Sequence, residues 1–229
     1  MNKYSYLIFD LDNTLLNFSQ SELSALKGIF TKYGVIFNED TFESYKKINK
    51  ELWDKLEAGT IKKETLLNRR FEAFFATQGV QVDGAVADDE YRGLLEERND
   101  LMPGGLELLK KLKEAGYTIL AGTNGVGRTQ RKRLENADMT SFFDALYISE
   151  EVGFEKPDMR FFETIFATEG IKDMSKVLMI GDSLTSDIRG ANRIGIDSVW
   201  LNNDYHGVIN DNPTYECTNL NELNKMFNI

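Results

Sequence analysis

Five short, nearly continuous apolar runs constrain this chain more than any other feature: Tyr6–Phe9, Tyr117–Ala121, Ala145–Ile148, Val177–Ile180 and Ser198–Leu201. A strand with one wet face alternates apolar and polar residues. These runs do not alternate, so each is expected to be covered on both faces, as in a parallel sheet. Helical patterns lie between them. Leu106, Leu109 and Leu112 recur at helical spacing, with Pro103-Gly104 as a start signal and Gly116 as a stop. Phe161, Phe162, Ile165 and Phe166 form a second stripe ending at Gly170, and Gln130–Ala137 and Thr185–Ile194 complete the alternation. The expected fold class is α/β, a five-stranded parallel sheet between helical layers.

Residues 17–98 break this rhythm and hold no convincing strand. They read as helices through Leu23/Leu26, Phe42/Tyr45/Ile48/Leu52, Leu66/Leu67/Phe71/Phe74 and Tyr91/Leu94/Leu95, with breaks at Gly34, Gly59 and Gly79. This is an 82-residue α-helical insertion after the first strand, leaving 147 residues, 1–16 and 99–229, for the α/β part. It is read as a lid rather than a decorative subdomain, because ligand sites in open parallel sheets lie at the carboxyl ends of the strands. Its aromatics Tyr45, Trp53, Phe71 and Phe74 sit at helical spacing and are expected to pack against one another rather than stack on a base.

Several function classes are excluded at the outset. With 27 Lys and Arg against 37 Asp and Glu, the net charge is −10, and no basic block appears. A nucleic-acid polymer or an anionic membrane is therefore not an expected partner. The apolar run Tyr6–Phe9 is cut by Asp10 and is too short for a signal-peptide core. No run reaches the roughly 18 apolar residues of a membrane helix. One cysteine, Cys217, fits a reducing compartment, and a cytoplasmic setting is expected. The one histidine, His206, lies in a polar stretch and reads as solvated, which excludes a multi-histidine zinc site within the chain. No G-x-S-x-G elbow is present. Chemistry must run on carboxylates, hydroxyls and amines.

Those groups stand where such chemistry would need them. The first strand exits into Asp10-Leu11-Asp12-Asn13-Thr14, the second into Gly122-Thr123-Asn124-Gly125 and the fourth into Gly181-Asp182-Ser183, with Asp187 five residues on. Glu155-Lys156-Pro157 follows the third. Four exits from one parallel sheet converge on one crevice. Two carboxylates about 4 Å apart repel by on the order of 4 kcal/mol at an effective dielectric of 20. The cluster of Asp10, Asp12 and Asp182 therefore wants a cation. Oxygen ligands without histidine or cysteine select a hard ion, and few protein ligands plus a phosphate suit Mg²⁺ better than Ca²⁺. A carboxylate, a hard metal, a lysine and a hydroxyl cradle at Thr123 and Asn124 suit phosphoryl transfer. Asp10 could attack phosphorus to give an aspartyl-phosphate, and Asp12 could act as acid and then base.

In these motifs the chain resembles the haloacid dehalogenase-like hydrolase superfamily. Asp10-Leu11-Asp12-Asn13-Thr14, Thr123-Asn124-Gly125, Lys156-Pro157 and Gly181–Asp187 match its four motifs in order. The resemblance implies a Rossmann-like three-layer core with a helical cap after the first strand. It implies Asp10 as nucleophile and Asp12 as acid/base. Mg²⁺ would be held by the carboxylates of Asp10 and Asp182 and the main-chain carbonyl of Asp12, with Asp187 acting from behind or through a metal-bound water. Thr123 and Asn124 would hold phosphoryl oxygens, and Lys156 would balance charge. Asn13 stands where many members carry glycine. Asn49–Trp53, Arg70-Phe71-Glu72, Ser149–Gly153 and Trp200-Leu201-Asn202 further resemble the subfamily of noncanonical pyrimidine nucleotidases. That implies pyrimidine nucleoside 5′-monophosphates, small phosphate esters, as substrates, with no obligate protein partner in evidence.

Other readings carry less. Gly122–Thr129 nearly matches a P-loop but offers Arg128 where lysine is required. A carbon–halogen hydrolase of the same family would lack the second acid, which is present here as Asp12. A phosphatase of small sugar phosphates or phosphoglycolate shares the core motifs, and only the insertion can separate it from a nucleotidase. A non-catalytic scaffold is unsupported, since every catalytic position is filled.

Overall fold

The computed structural model describes residues 3–202 and 211–228. His206 lies outside the described residues. The chain separates into two units, Met1–Phe18 with Asn99–Ile229, and Ser19–Arg98.

The first unit is a sheet of six parallel strands, not five: β1 (Tyr6–Phe9), β2 (Thr118–Thr123), β3 (Ala145–Ile148), β4 (Val177–Gly181), β5 (Asp197–Leu201) and β6 (Tyr215–Cys217), in the order β3-β2-β1-β4-β5-β6. The sixth strand has three residues, Tyr-Glu-Cys, and pairs with Val199–Leu201 at the sheet edge. With Glu216 exposed it carries no continuous apolar signal, so the sequence pattern passes over it.

The central strand shows why the runs are continuous. Leu7 and Phe9 pack on one face with Leu108, Leu109 and Leu112 of one helix and with Leu223 and Phe227 of another. Ile8, between them, packs on the opposite face with Phe161, Phe162 and Ile165. Both faces are dry, and each fully buried Leu or Phe contributes roughly 1.5–3 kcal/mol. The apolar stripe before β2 is Leu108/Leu109/Leu112, while Leu106 is 38% exposed. Its position lies about 110° round the helix from the centre of that stripe.

Ten α-helices occur among the described residues. Six lie in the first unit: α5 (Gly105–Glu114), α6 (Gly127–Asn136), α7 (Ser149–Val152), α8 (Met159–Glu169), α9 (Arg189–Ile194) and α10 (Leu220–Phe227). Chain exit and re-entry are pinned together. Leu16 and Leu101 form an antiparallel bridge, and the Asn17 main-chain N–H donates to the Asp100 carbonyl at 3.0 Å.

The second unit holds α2 (Glu39–Glu57), α3 (Lys63–Thr77), α4 (Gly84–Glu96) and all but the first residue of α1 (Phe18–Lys32). Asn38 caps α2 by accepting from the Thr41 N–H at 2.9 Å while Thr41 Oγ1 accepts from the Asn38 N–H, a reciprocal cap. Asp83 caps α4, its side chain accepting from the Ala85 and Val86 N–H groups. The aromatic core stacks Phe30 on Phe74 at 4.4 Å and Tyr45 on Phe71 at 5.2 Å between ring centroids. Tyr45, Phe71 and Phe74 are fully buried, whereas Trp53 is only half-buried and stands outside that core.

Candidate active site

β1 lies between β2 and β4, so the crossovers diverge at its carboxyl end, where α/β sheets open a crevice. Asp10 leaves β1 there, its main-chain N–H donating to the Ile180 carbonyl at 2.8 Å. The structure brings Asp10, Asp182 and Asp187 together, with one carboxylate oxygen of each within 4.8 Å of the others.

Lys156 is the hub. Its ammonium is 1% exposed and donates to Asp10 Oδ1 at 2.8 Å, Asp187 Oδ1 at 2.7 Å and the Gly122 carbonyl at 2.5 Å. Three hydrogens meet three acceptors, so the lysine fixes the Asp10 carboxylate and balances charge. Burial works against its charge, but the Asp10 and Asp187 carboxylates outweigh that and hold its pKa above the ordinary value.

Asp10 is 8% exposed, and Thr14 Oγ1 donates to its second oxygen at 3.3 Å. Burial pushes its carboxyl up to about 7 against the pull of Lys156, and Asp187 and Asp12 push it further. Asp182 is raised well above the usual carboxylate range, first by burial and then by Asp10 and Asp187. Its main-chain carbonyl accepts from Trp200 Nε1 at 2.9 Å, which ties the β4 exit to β5.

Asp187 is fully buried on a π-helical turn, Leu184–Ile188. One of its oxygens takes Lys156 and the other the Ser183 N–H at 3.1 Å. This packing requires glycine at 181, because a Cβ there would stand 2.1 Å from Asp187 Oδ2.

Thr123 ends β2 and is buried. Its Oγ1 accepts from the Gly125 N–H at 3.0 Å and from Gln130 Nε2 at 2.9 Å. With both lone pairs used, the hydroxyl hydrogen is free to donate to an anion. Asn124 has a task not expected from sequence: its amide grips the Lys156 main chain, Nδ2 donating to the carbonyl at 2.8 Å and Oδ1 accepting from the N–H at 2.9 Å. Arg128, of the P-loop near-match, is exposed on the first turn of α6.

Asp12 points to partners that sequence reasoning missed. Gln130 Nε2 donates to its Oδ2 at 2.7 Å, and Arg133 Nη1 donates to its Oδ1. Both are buried on α6. The available signal was their spacing of three on a predicted helix, which places them on one face.

The donor set fits a hard divalent cation. It consists of oxygens alone: Asp10, Asp182 and Asp187 stand together, with Lys156 paired to Asp10 and Asp187, whereas the Asp12 carboxylate is paired with Arg133. Burial is the first cause of the raised carboxyls of Asp10 and Asp182, and the neighbouring carboxylates add to it.

The sequence model of the haloacid dehalogenase-like hydrolase family matches residues 7–201. The chain is 37% identical over 223 residues to pyrimidine 5′-nucleotidase PynA of Streptococcus pneumoniae, covering 96% of this chain and 93% of that protein. It is 32% identical over 229 residues to pyrimidine 5′-nucleotidase YjjG of Escherichia coli, covering 98% of each. Among solved structures it is similar to Bacillus subtilis YfnB bound to magnesium, with a TM-score of 0.94, 36% identity and 99% of each chain covered. Interdomain movement is described for that protein.

Proposed function

The chain belongs to the haloacid dehalogenase-like hydrolase family, and we propose that it hydrolyses phosphate monoesters through an aspartyl-phosphate, with pyrimidine nucleoside 5′-monophosphates as preferred substrates. The observation that carries the phosphatase reading is Asp10. It is a buried carboxylate oriented by Lys156 and Thr14, beside two further carboxylates and a hydroxyl with an unspent proton.

In the first half-reaction a carboxylate oxygen of Asp10 attacks phosphorus and the bond to the ester oxygen breaks. Asp12 gives that oxygen its proton. Water then attacks the phosphorus of the acyl phosphate, Asp12 takes the water's proton, and inorganic phosphate leaves with Asp10 restored. Thr123 donates to a phosphoryl oxygen. Lys156 holds Asp10 in line, and Asn124 holds Lys156. Mg²⁺, held by the carboxylates of Asp10 and Asp182 and the main-chain carbonyl of Asp12, would neutralise charge on the phosphoryl oxygens when bound. Asp187 is occupied by Lys156 and Ser183, which suits support of that site from behind.

The pyrimidine preference rests on the full-length similarity to PynA and YjjG. Residues 17–98 would then form the lid and select the leaving group, with residues 1–16 and 99–229 as the catalytic core. A pocket fitted to a pyrimidine rejects a purine by overlap, whereas single methyl-sized changes alter discrimination by about 1–3 kcal/mol. A cytoplasmic setting completes the proposal, in keeping with the lone Cys217. Among the described residues no helix is long and apolar enough to cross a membrane.

The deciding measurement is kcat/KM for dUMP, dTMP, UMP, dAMP, dGMP and two sugar phosphates at fixed Mg²⁺. The pyrimidine nucleotides are expected to lead. A sugar phosphate that exceeds every nucleotide tenfold would overturn the nucleotidase reading and leave the phosphatase reading intact.

A further inference from the structure

We infer that Gln130 and Arg133 form a strut on α6 that sets the orientation of Asp12 and ties it to Thr123, so that the proton donor and the phosphate cradle keep one geometry. The inference rests on the reading of Asp12 as acid/base. Neither residue belongs to the motifs that identify the site. Both are positioning residues.

The contacts form one chain. Gln130 Nε2 donates to Asp12 Oδ2 at 2.7 Å and to Thr123 Oγ1 at 2.9 Å, so a single amide nitrogen bridges the β1 and β2 exits. Arg133 Nη1 donates to Asp12 Oδ1 and to Gln130 Oε1, the latter at 3.3 Å. That second contact matters because an amide can sit either way round. With its oxygen facing the guanidinium, its nitrogen must face Asp12 and Thr123. Each Asp12 oxygen thus has its own donor, and the plane of the carboxylate is fixed.

The surroundings are built for this arrangement. Gln130 is 1% exposed and Arg133 2%. A Cβ at position 125 would stand 2.3 Å from Gln130 Nε2, so the turn after β2 leaves the amide its place only with glycine there. Among the described residues, Arg133 Nη2 is buried with no hydrogen-bond partner. An unspent guanidinium donor in the interior is unfavourable, and an apolar side chain of similar volume would pack there without that cost. An arginine at this point makes physical sense through the carboxylate it holds. General acid–base transfer needs its group within hydrogen-bond reach of the reacting oxygen, and a displacement of about 1 Å can cost on the order of 10²-fold in rate.

The test is a double-mutant cycle on the full chain, with kcat and KM measured for dUMP and p-nitrophenyl phosphate at saturating Mg²⁺. Arg133→Met keeps the volume and removes the donors. It should lower kcat on dUMP by on the order of 10²-fold, with a smaller loss on p-nitrophenyl phosphate, whose leaving oxygen needs little protonation. In an Asp12→Ala background the same substitution should cause no further loss. Arg133→Lys, which restores one donor, should recover part of the rate. Gln130→Met gives an independent arm should Arg133→Met not fold. Losses of equal factor with and without Asp12, or equal losses on the two substrates, would overturn the strut while leaving Asp12 in its role. Wild-type turnover of dUMP by Asp12→Ala alone would instead overturn the acid/base reading on which the strut depends.

Discussion

Both units bury charge, and they do so to opposite ends. In the helical unit Arg70 and Arg92 share Asp88, each Nε donating to a different oxygen at 2.6 Å, and Arg92 also reaches Asp89 at 3.2 Å. Arg70 and Asp88 are buried beside the stacked rings, Arg92 is partly buried and Asp89 is exposed, so two cations meet two anions and the charges balance. In the α/β unit Asp10, Asp12, Asp182 and Asp187 meet Lys156 and Arg133, leaving two negative charges over. A closed set gives structure alone. A set left open at a sheet edge draws a cation and a substrate.

Five expectations bear on this contrast. The largest effect is that of Asp10→Asn, which should reduce phosphate release to background even at saturating Mg²⁺, because an amide is a poor nucleophile. Full activity would remove Asp10 from the mechanism. Next, chelation with EDTA should abolish turnover and Mg²⁺ should restore it. Independently of activity, Mg²⁺ at 100 times its Kd should raise Tm by about 5–11 °C, the equivalent of about 2.7 kcal/mol. The pH dependence has a definite sign. The Asp10 carboxyl rises from 3.8 to about 7 on folding, so the folded chain holds that proton more tightly. Its contribution to stability is present in full below its unfolded pKa and is lost as pH rises through about 7. Metal-free stability should fall across that window, and Mg²⁺ should flatten the slope. A flat metal-free profile would count against an unbalanced site.

Asp12→Asn should cost roughly 10²–10⁴-fold on a nucleotide and less on p-nitrophenyl phosphate, while formation of the aspartyl-phosphate limits the rate. Equal losses under that condition would remove its leaving-group role. The smallest effect on turnover is expected from Arg70→Met in the helical unit. It should destabilise by about 3 kcal/mol, seen as a Tm lower by about 6–12 °C, with activity at 25 °C kept. An unchanged Tm would mean that the closed charge set contributes nothing, and the contrast between the units would lose one side.

What could be read from the sequence follows the same division. Five strands were legible because two-sided burial writes a continuous apolar run, as Leu7-Ile8-Phe9 shows. The sixth was not, because an edge strand of three residues with Glu216 exposed resembles a loop. Asp10, Asp182 and Lys156 were legible because each stands just past a strand exit or in its loop. Gln130 and Arg133 were not, because polar residues on a helix ordinarily face water, and their partner Asp12 is 118 and 121 residues away. The second task of Asn124 was hidden for the same reason, since its amide reaches a main chain 32 residues on.

The pinned ends at Asn17 and Asp100 have a consequence for how such a chain can diversify. For the α/β unit, residues 19–98 are one excursion whose flanking residues, Asn17 and Asp100, are hydrogen-bonded to each other. Loop-closure entropy grows only with the logarithm of length, so an 80-residue excursion burdens the sheet by only about 2 kcal/mol more than one of eight residues. Whatever occupies the excursion, the sheet edge sees the same two anchored ends. Sequence drift, lengthening or wholesale replacement between them leaves the carboxylates where they are, which makes this junction a natural splice point for grafting a different insert onto an unchanged catalytic edge.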